Sequence, residues 1–340
     1  MSESPGLEVL EQPAKPRRRR RRGAGFVLLL AAIGILVLAL GIATFYIGRS
    51  LTALNDITRD SSHNLSDYPG RPSAPASAPS AQQSPVNFVL LGTDERGADD
   101  TGRSDALMLA HLSGDRKHLY IISFPRDMWV PIPERGDGKI NWAYAFGGPP
   151  LTARTLEQLT GSRIDHAVSI NFEGFIRLTE TLGGVTVNNP WESEGTPGHR
   201  FPQGNITLKG EDALIYVRER TVLPNGDLDR AYRQRSMVKA ILQQALRPKV
   251  LANPVTFSDF VGQFSDTLTV DEALTTEAIT SLGMSLRFDG ADSVRLLQAP
   301  VAGWGTVGDQ AVAVVDTEGM AELSVALTGD AMESYYQAHS

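Results

Sequence analysis

Five arginines fall within eighteen residues, at Arg218, Arg220, Arg230, Arg233 and Arg235, in a chain that is acidic overall, with 32 Lys+Arg against 39 Asp+Glu. Guanidiniums repel one another unless an anion sits among them, and their planar fork matches paired carboxylate or phosphate oxygens. Two carboxylates stand upstream. Asp94 follows an apolar run, Asp105 precedes another, and the stretch between them is rich in Gly and Asp, so the pair can converge at adjacent strand ends. Such a pair suits Mg²⁺, which fills its other positions with water and phosphate oxygens. Ordinary strand-end turns are the plainer account of the same two residues. Between these groups, Ser123-Phe124-Pro125-Arg126-Asp127 delivers an Arg–Asp pair to the end of an apolar strand, where ligands of α/β folds bind. Arginines, carboxylates and a divalent cation together would hold a pyrophosphate.

The elements that must carry these groups follow from periodicity. Val86 to Leu91, Ala106 to Leu112, Leu119 to Phe124 and His166 to Ile170 read as strands, and Leu151 to Leu159 and Phe172 to Leu182 as helices. Alternation at this spacing argues for a sheet with helices on its faces. Gly210 to Arg220 and Asp229 to Arg247 read as helices. Arg218 and Arg220 do not share a helix face, so both reach one anion only where the helix ends; Pro224-Asn225-Gly226 supplies a break. On the second helix Arg230, Arg233, Gln234, Met237 and Ile241 recur at i, i+3 and i+4, which makes its first turns cationic and its later turns apolar. A helix N-terminus favours anions by itself, and two arginines strengthen that. The apolar continuation could line a lipid channel, though such a stripe is more often core. Beyond residue 250 the pattern weakens. Helices are expected at Thr256 to Leu268, Thr275 to Leu286 and Met320 to Tyr335, and strands at Ser293 to Leu297 and Ala311 to Val315.

Gly23 to Ile47 is free of charge over twenty-five residues, long enough to span a bilayer and longer than the apolar core of a signal peptide. Arg17 to Arg22 precede it, so the N-terminus is expected in the cytoplasm and everything after Arg49 outside. Lys15 and Arg17 to Arg22 against Glu3, Glu8 and Glu11 leave the first 22 residues at +4 and the remainder at −11. The folded part therefore lacks a nucleic-acid footprint. With no cysteine, disulfides, thiolate metal sites and cysteine nucleophiles are excluded. No phosphate-binding P-loop, zinc-protease, serine-hydrolase or EF-hand motif competes, and the six histidines lack ligand spacing. The expected organisation is a basic tail (1–22), a membrane helix (23–48), a disordered Pro/Ser/Ala-rich tether (49–85), a catalytic domain (86–250) and an extension packed on the same core (251–340).

Gly92-x-Asp94, Arg103-Ser104-Asp105, Pro125-Arg126-Asp127, Lys139-Ile140-Asn141-x-Ala143-Tyr144, Leu182-Gly183-Gly184-Val185, Tyr216-x-Arg218-x-Arg220 and Asp229-Arg230-x-x-Arg233-Gln234 recur in order over about residues 86–247. In these motifs the chain resembles the LytR-CpsA-Psr family of cell-wall glycopolymer transferases. Arg235 stands where relatives often have a second Gln. The resemblance implies a three-layer α-β-α domain with a central mixed sheet, a greasy pocket for a polyprenyl tail and a polar mouth for its pyrophosphate. It implies transfer of a glycopolymer from a polyprenyl pyrophosphate carrier to peptidoglycan, with Mg²⁺ on Asp94 and Asp105. Arg103, Arg126, Arg218, Arg220, Arg230 and Arg233, with Gln234, would bind the pyrophosphate. Asp94 or Asp127 would take the acceptor's proton, and both stay open. Alternatives are hydrolysis with water as acceptor, and a non-enzymatic binder of anionic lipid or wall polymer. A transcriptional regulator is disfavoured by a folded part that lies outside the cell.

Overall fold

The computed structural model describes residues 57–73, 83–93, 104–245 and 267–340. The basic tail, the expected membrane helix, Asp94, Arg103 and most of the helix expected at Thr256 to Leu268 lie outside the described residues. The first part of the chain comprises β1 (Thr58–Arg59), β2 (Val86–Thr93), β3 (Ser104–Leu112), β4 (Leu119–Phe124), β5 (Trp129–Ile132), β6 (Gly136–Lys139) and helix α1 (Asn141–Thr160). Next come β7 (His166–Asn171), α2 (Phe172–Thr181), β8 (Val185–Asn189), β9 (Ser193–Thr196), β10 (His199–Phe201), β11 (Gly204–Leu208), α3 (Gly210–Arg218) and α4 (Asp227–Ala245). The remainder holds β12 (Leu268–Val270), α5 (Thr276–Ser285), β13 (Val294–Gln298), β14 (Val301–Val307), β15 (Gln310–Val315), α6 (Thr317–Thr328) and α7 (Met332–His339).

Seven strands make one sheet in the order β1-β12-β7-β2-β3-β4-β13. The pairs β1/β12, β7/β2 and β4/β13 are parallel and the others antiparallel, so the sheet is mixed, as the resemblance implies. Alternation along the strands divides the core into two layers. Leu107 and Leu109 of β3 and Tyr120, Ile122 and Phe124 of β4 pack with Leu156 of α1 and Leu323 of α6 on one face. Met108 and Ile121 face the other way, beneath Val238 and Leu242 of α4. Covering both faces is why these strands read as unbroken apolar runs. Each buried Leu or Ile contributes about 1.5–3 kcal/mol through removal from water.

Helix α1 begins ten residues ahead of its expected start at Leu151 and contains a kink. Gly147 and Gly148 leave helical geometry there, Gly148 at φ 60° and ψ −156°, a region open essentially to glycine. Pro149 and Pro150 then sit in the first turn of the second segment, where a missing N–H costs little. The helix expected at Met320 to Tyr335 is instead α6 and α7, separated near Asp330 at φ 52°.

Two expectations about organisation are corrected. Residues 57–73 do not behave as a disordered tether. Strand β1 pairs with β12, His63 is buried with Nε2 2.7 Å from Ser169 Oγ, and Tyr68 Oη donates to Glu157 Oε2 at 2.8 Å. Arg71 donates to Glu157 Oε1 at 3.0 Å and to the Ile164 carbonyl at 2.8 Å. The average composition, dominated by proline and serine, hid three side chains that each find a partner in the domain. Nor is the C-terminal part an addition to a finished core. β12 lies inside the sheet between β1 and β7, and β13 forms its far edge.

Candidate active site

The β2–β3 hairpin opens at the end from which the acidic loop departs. Gly92 crosses so near Ala106 that a Cβ there would lie 3.0 Å from the alanine's, and the register slips between Gly92 and Thr93, pairing Thr93 with Ser104. Asp105 is the odd residue of this bulge, a device that re-aims side chains at strand ends. Its Oδ1 accepts from Arg126 Nη1 at 2.8 Å. Arg126 reaches that point because Pro125 ends β4 in a turn that Met128 N closes on the Pro125 carbonyl.

Arg126 is the centre of an alternating cluster. Its Nε lies 3.6 Å from Asp127 Oδ2 and 3.9 Å from Asp227 Oδ1. Lys139 Nζ lies 3.0 Å from Asp127 Oδ1, and Arg230 Nη2 pairs with Asp227 Oδ1. Burial works against the charge on Arg126, yet Asp127, Asp227 and Asp105 outweigh it and hold its pKa above the ordinary value. Burial pushes the Asp227 carboxyl up, against the pull of Arg230 and Arg126. Burial likewise lowers the pKa of Arg230, against the pull of Asp227. The Nε groups of Arg126 and Arg230 are buried and make no hydrogen bond within the described residues. Guanidinium groups gathered in this way are suited to phosphate oxygens.

The remaining predicted residues divide. Arg220 is exposed and close enough to bear electrostatically on Asp227 and Arg230. Arg218, the last residue of α3, is exposed and stacks over the Phe172 ring at 4.4 Å. Helix α3 ends at Glu219, whose extended backbone lets Arg218 and Arg220 depart in different directions. Gln234 Nε2 donates to the Val217 carbonyl at 3.2 Å and lies 3.5 Å from the Asp105 carbonyl, tying α4 to α3 and to β3. Arg233 turns elsewhere. It is wholly buried, donates to Glu219 Oε2 at 2.6 Å, Ser193 Oγ at 2.7 Å and the Trp191 carbonyl at 3.1 Å, and lies over the Tyr216 ring at 4.2 Å. That network makes Arg233 a brace between α4 and the β8–β9 region. Arg235 donates to Ser123 Oγ on the underside of α4, where burial lowers its pKa to about 10.

Asp227 and Lys139 belong to the cluster although sequence reasoning assigned them no role. The signal for Asp227 was its place one helical turn ahead of Arg230, an i, i+3 pair at the start of a helix. Lys139 stands in one of the recurring motifs, but nothing local ties it to Asp127, since β6 brings it there only through the β5–β6 pairing. Among the described residues no group of three or more acidic or histidine side chains could hold a metal ion. Asp105 supplies one carboxylate at the hairpin mouth, and the Thr93–Ser104 pairing brings the strand that leads to Asp94 back to the same end.

Residues 51–328 match the model of the LytR_cpsA_psr family. The polyisoprenyl-teichoic acid–peptidoglycan teichoic acid transferase TagU of Bacillus mycoides (strain KBAB4) is 35% identical over 217 residues, which cover 64% of this chain and 69% of the relative. The protein of that name from Bacillus cereus (strain ATCC 14579) is 33% identical over 262 residues, covering 77% of this chain and 80% of the relative. Among solved structures, TagV of B. subtilis superposes with a TM-score of 0.63 at 22% identity, over 73% of this chain and 97% of that one, a likeness of fold.

Proposed function

The chain belongs to the LytR_cpsA_psr family, and on that footing we propose that it is a membrane-anchored extracytoplasmic phosphotransferase moving a glycopolymer from a polyprenyl pyrophosphate carrier to peptidoglycan. The observation that carries this reading is Arg126 held between Asp105, Asp127 and Asp227, with Arg230 beside it. The names of the relatives support the glycopolymer and the acceptor. The uncharged stretch from Gly23 to Ile47 supports the anchor.

In this reading Arg126, Arg230 and Arg220 receive the pyrophosphate, with Arg218 and Arg103 as further cations at its rim. The acceptor hydroxyl attacks the phosphorus that carries the glycan. A P–O bond forms to the acceptor, the anhydride P–O bond breaks, and polyprenyl monophosphate leaves. The hydroxyl's proton passes to Asp127 or Asp94. Lys139, at 3.0 Å, holds Asp127 in place to accept it. Asp105, with Asp94, would hold Mg²⁺, which would offset the charge of the phosphate oxygens. The anhydride itself supplies the driving force, so no nucleotide is needed outside the cell.

The test uses the full chain with a lipid-linked glycopolymer and peptidoglycan. Asp105→Asn, Arg126→Ala and Arg230→Ala should each lower transfer by roughly 10²-fold or more, as loss of a preorganised charge does elsewhere. Asp105→Asn should also abolish any Mg²⁺-dependent rise in the thermal transition. Undiminished transfer in all three would overturn the assignment. Polymer released with a free phosphate end, and none joined to glycan, would favour hydrolysis instead.

A further inference from the structure

An antiparallel pair that meets water ordinarily turns polar side chains towards it. The β14–β15 hairpin does the reverse. Trp304 is 48% exposed, and Val307 and Val314 are each 42% exposed. Ala302 and Ala311 are exposed as well, and from Val301 to Val315 the one charged residue is Asp309, in the turn that joins the strands. The base of the hairpin is rooted in the molecule. Val301 and Val315 pack on the main core, Ala313 is buried in it, and Ala313 N donates to the Asp127 carbonyl at 2.9 Å. Apolar side chains gathered in the open on one element mark an interaction surface.

Strand direction identifies what that surface meets. β2, β7, β4 and β13 run one way through the sheet, and β3, β12 and β1 run the other. The start of β1 therefore lies at the end of the sheet where β2 leads to the acidic loop, β4 to Arg126 and β13 to the hairpin. Behind β1, only residues 48–56 separate Ile57 from the uncharged stretch that ends at Ile47. Nine residues reach at most about 30 Å. If that stretch is the membrane anchor, the end of the sheet that carries the hairpin is the end held near the lipid.

The residue types fit a bilayer surface. Tryptophan, apolar in body with one N–H, favours the headgroup level. Valine and alanine carry no side-chain polar group to desolvate there, and the lone Asp309 in a turn can stay in water. We propose that the β14–β15 hairpin inserts its exposed apolar side chains into the membrane surface as a second contact beside the anchor. Through Ala313 and the Asp127 carbonyl it would hold the cluster's end of the sheet against the lipid. The inference rests on the anchor reading.

The chain has no cysteine, so Val307→Cys and Lys117→Cys each create a single labelling site. Lys117 is exposed between β3 and β4, at the opposite end of the sheet. Each full chain, carrying an environment-sensitive dye, is reconstituted in vesicles of phosphatidylcholine and phosphatidylglycerol whose acyl chains bear nitroxide quenchers. The dye at position 307 should be quenched, at a depth of about 5–10 Å into the headgroup–acyl boundary, and the dye at position 117 should not. Adding Trp304→Ser should weaken the quenching at 307 severalfold. Equal quenching at the two positions, or none at 307, overturns the proposal. So does quenching at 307 that requires added polyprenyl donor, or energy transfer between labelled copies without quenching, since the occupant would then be the carrier or a second copy. A chain that fails to float with the vesicles refutes the anchor and this inference with it; one that floats unquenched at 307 refutes the hairpin contact alone.

Discussion

Arg230 and Arg233 stand three residues apart on α4, yet Arg230 pairs with Asp227 beside Arg126 while Arg233 pairs with Glu219. An i, i+3 step rotates the helix by about 60°, enough to divide two faces when a charge lies on each side. Glu219 is 8% exposed, and a buried carboxylate without a partner is costly. The two arginines should therefore respond differently to removal. Arg230→Ala should lower transfer by roughly 10²-fold or more and should destabilise less than loss of Arg233, because Arg126 still faces Asp227. Arg233→Met should destabilise by about 3–5 kcal/mol, because it strands Glu219. Pairing it with Glu219→Gln should restore much of that loss in chemical denaturation. Equal destabilisation by Arg230→Ala and Arg233→Met would refute the distinction.

At the scale of elements, β12 is a three-residue strand that holds its place through Asp271 immediately after it. Asp271 is 1% exposed; it accepts from Ala167 N at 2.9 Å and Leu274 N at 3.0 Å, and both its oxygens lie 3.2 Å from His166 Nδ1. Burial alone would raise its pKa, but these partners together hold it below the ordinary carboxylate value. A carboxyl with a depressed folded pKa stabilises fully above its unfolded value near 3.9, and the contribution is lost as pH falls through the lower folded value. Asp271→Asn should thus cost roughly 1–3 kcal/mol at neutral pH. The gap between variant and parent should narrow only below about pH 4. A gap independent of pH in acid denaturation would contradict this account.

For the molecule as a whole, the sheet closes only with strands from both ends of the folded part. β1 and β12 lengthen it on one side, β13 caps the other, and Met320, Leu323 and Leu327 of α6 fill the core beneath α1. A chain ended at residue 250 would lose β12, β13 and α6, and would leave β1 without the strand it pairs with. It should show no cooperative thermal transition by circular dichroism, whereas a chain ended at residue 340 and begun at residue 50 should keep one. A cooperative, native-like transition in the chain ended at 250 would show that the strands from 267 onward are additions after all.

Much was legible in the residues themselves. Local patterning marked β2, β3, β4 and β7 and the paired helices α3 and α4, because apolar alternation and Gly-containing breaks act over a few residues. The chemistry was legible too, since Arg126, Asp105 and Arg230 announce a charged cluster by type and by position at element ends. Tertiary structure decided which charges meet. Arg233 turned to Glu219 because that carboxylate is buried against Ser193 and Gly195 of β9, and Lys139 joined Asp127 because β5 and β6 pair. Residues 57–73 entered the fold through His63, Tyr68 and Arg71, whose partners lie 106, 89 and 86 residues away. Periodicity carries short-range information, whereas ion pairs and buried hydrogen bonds depend on distances that only the packed chain sets.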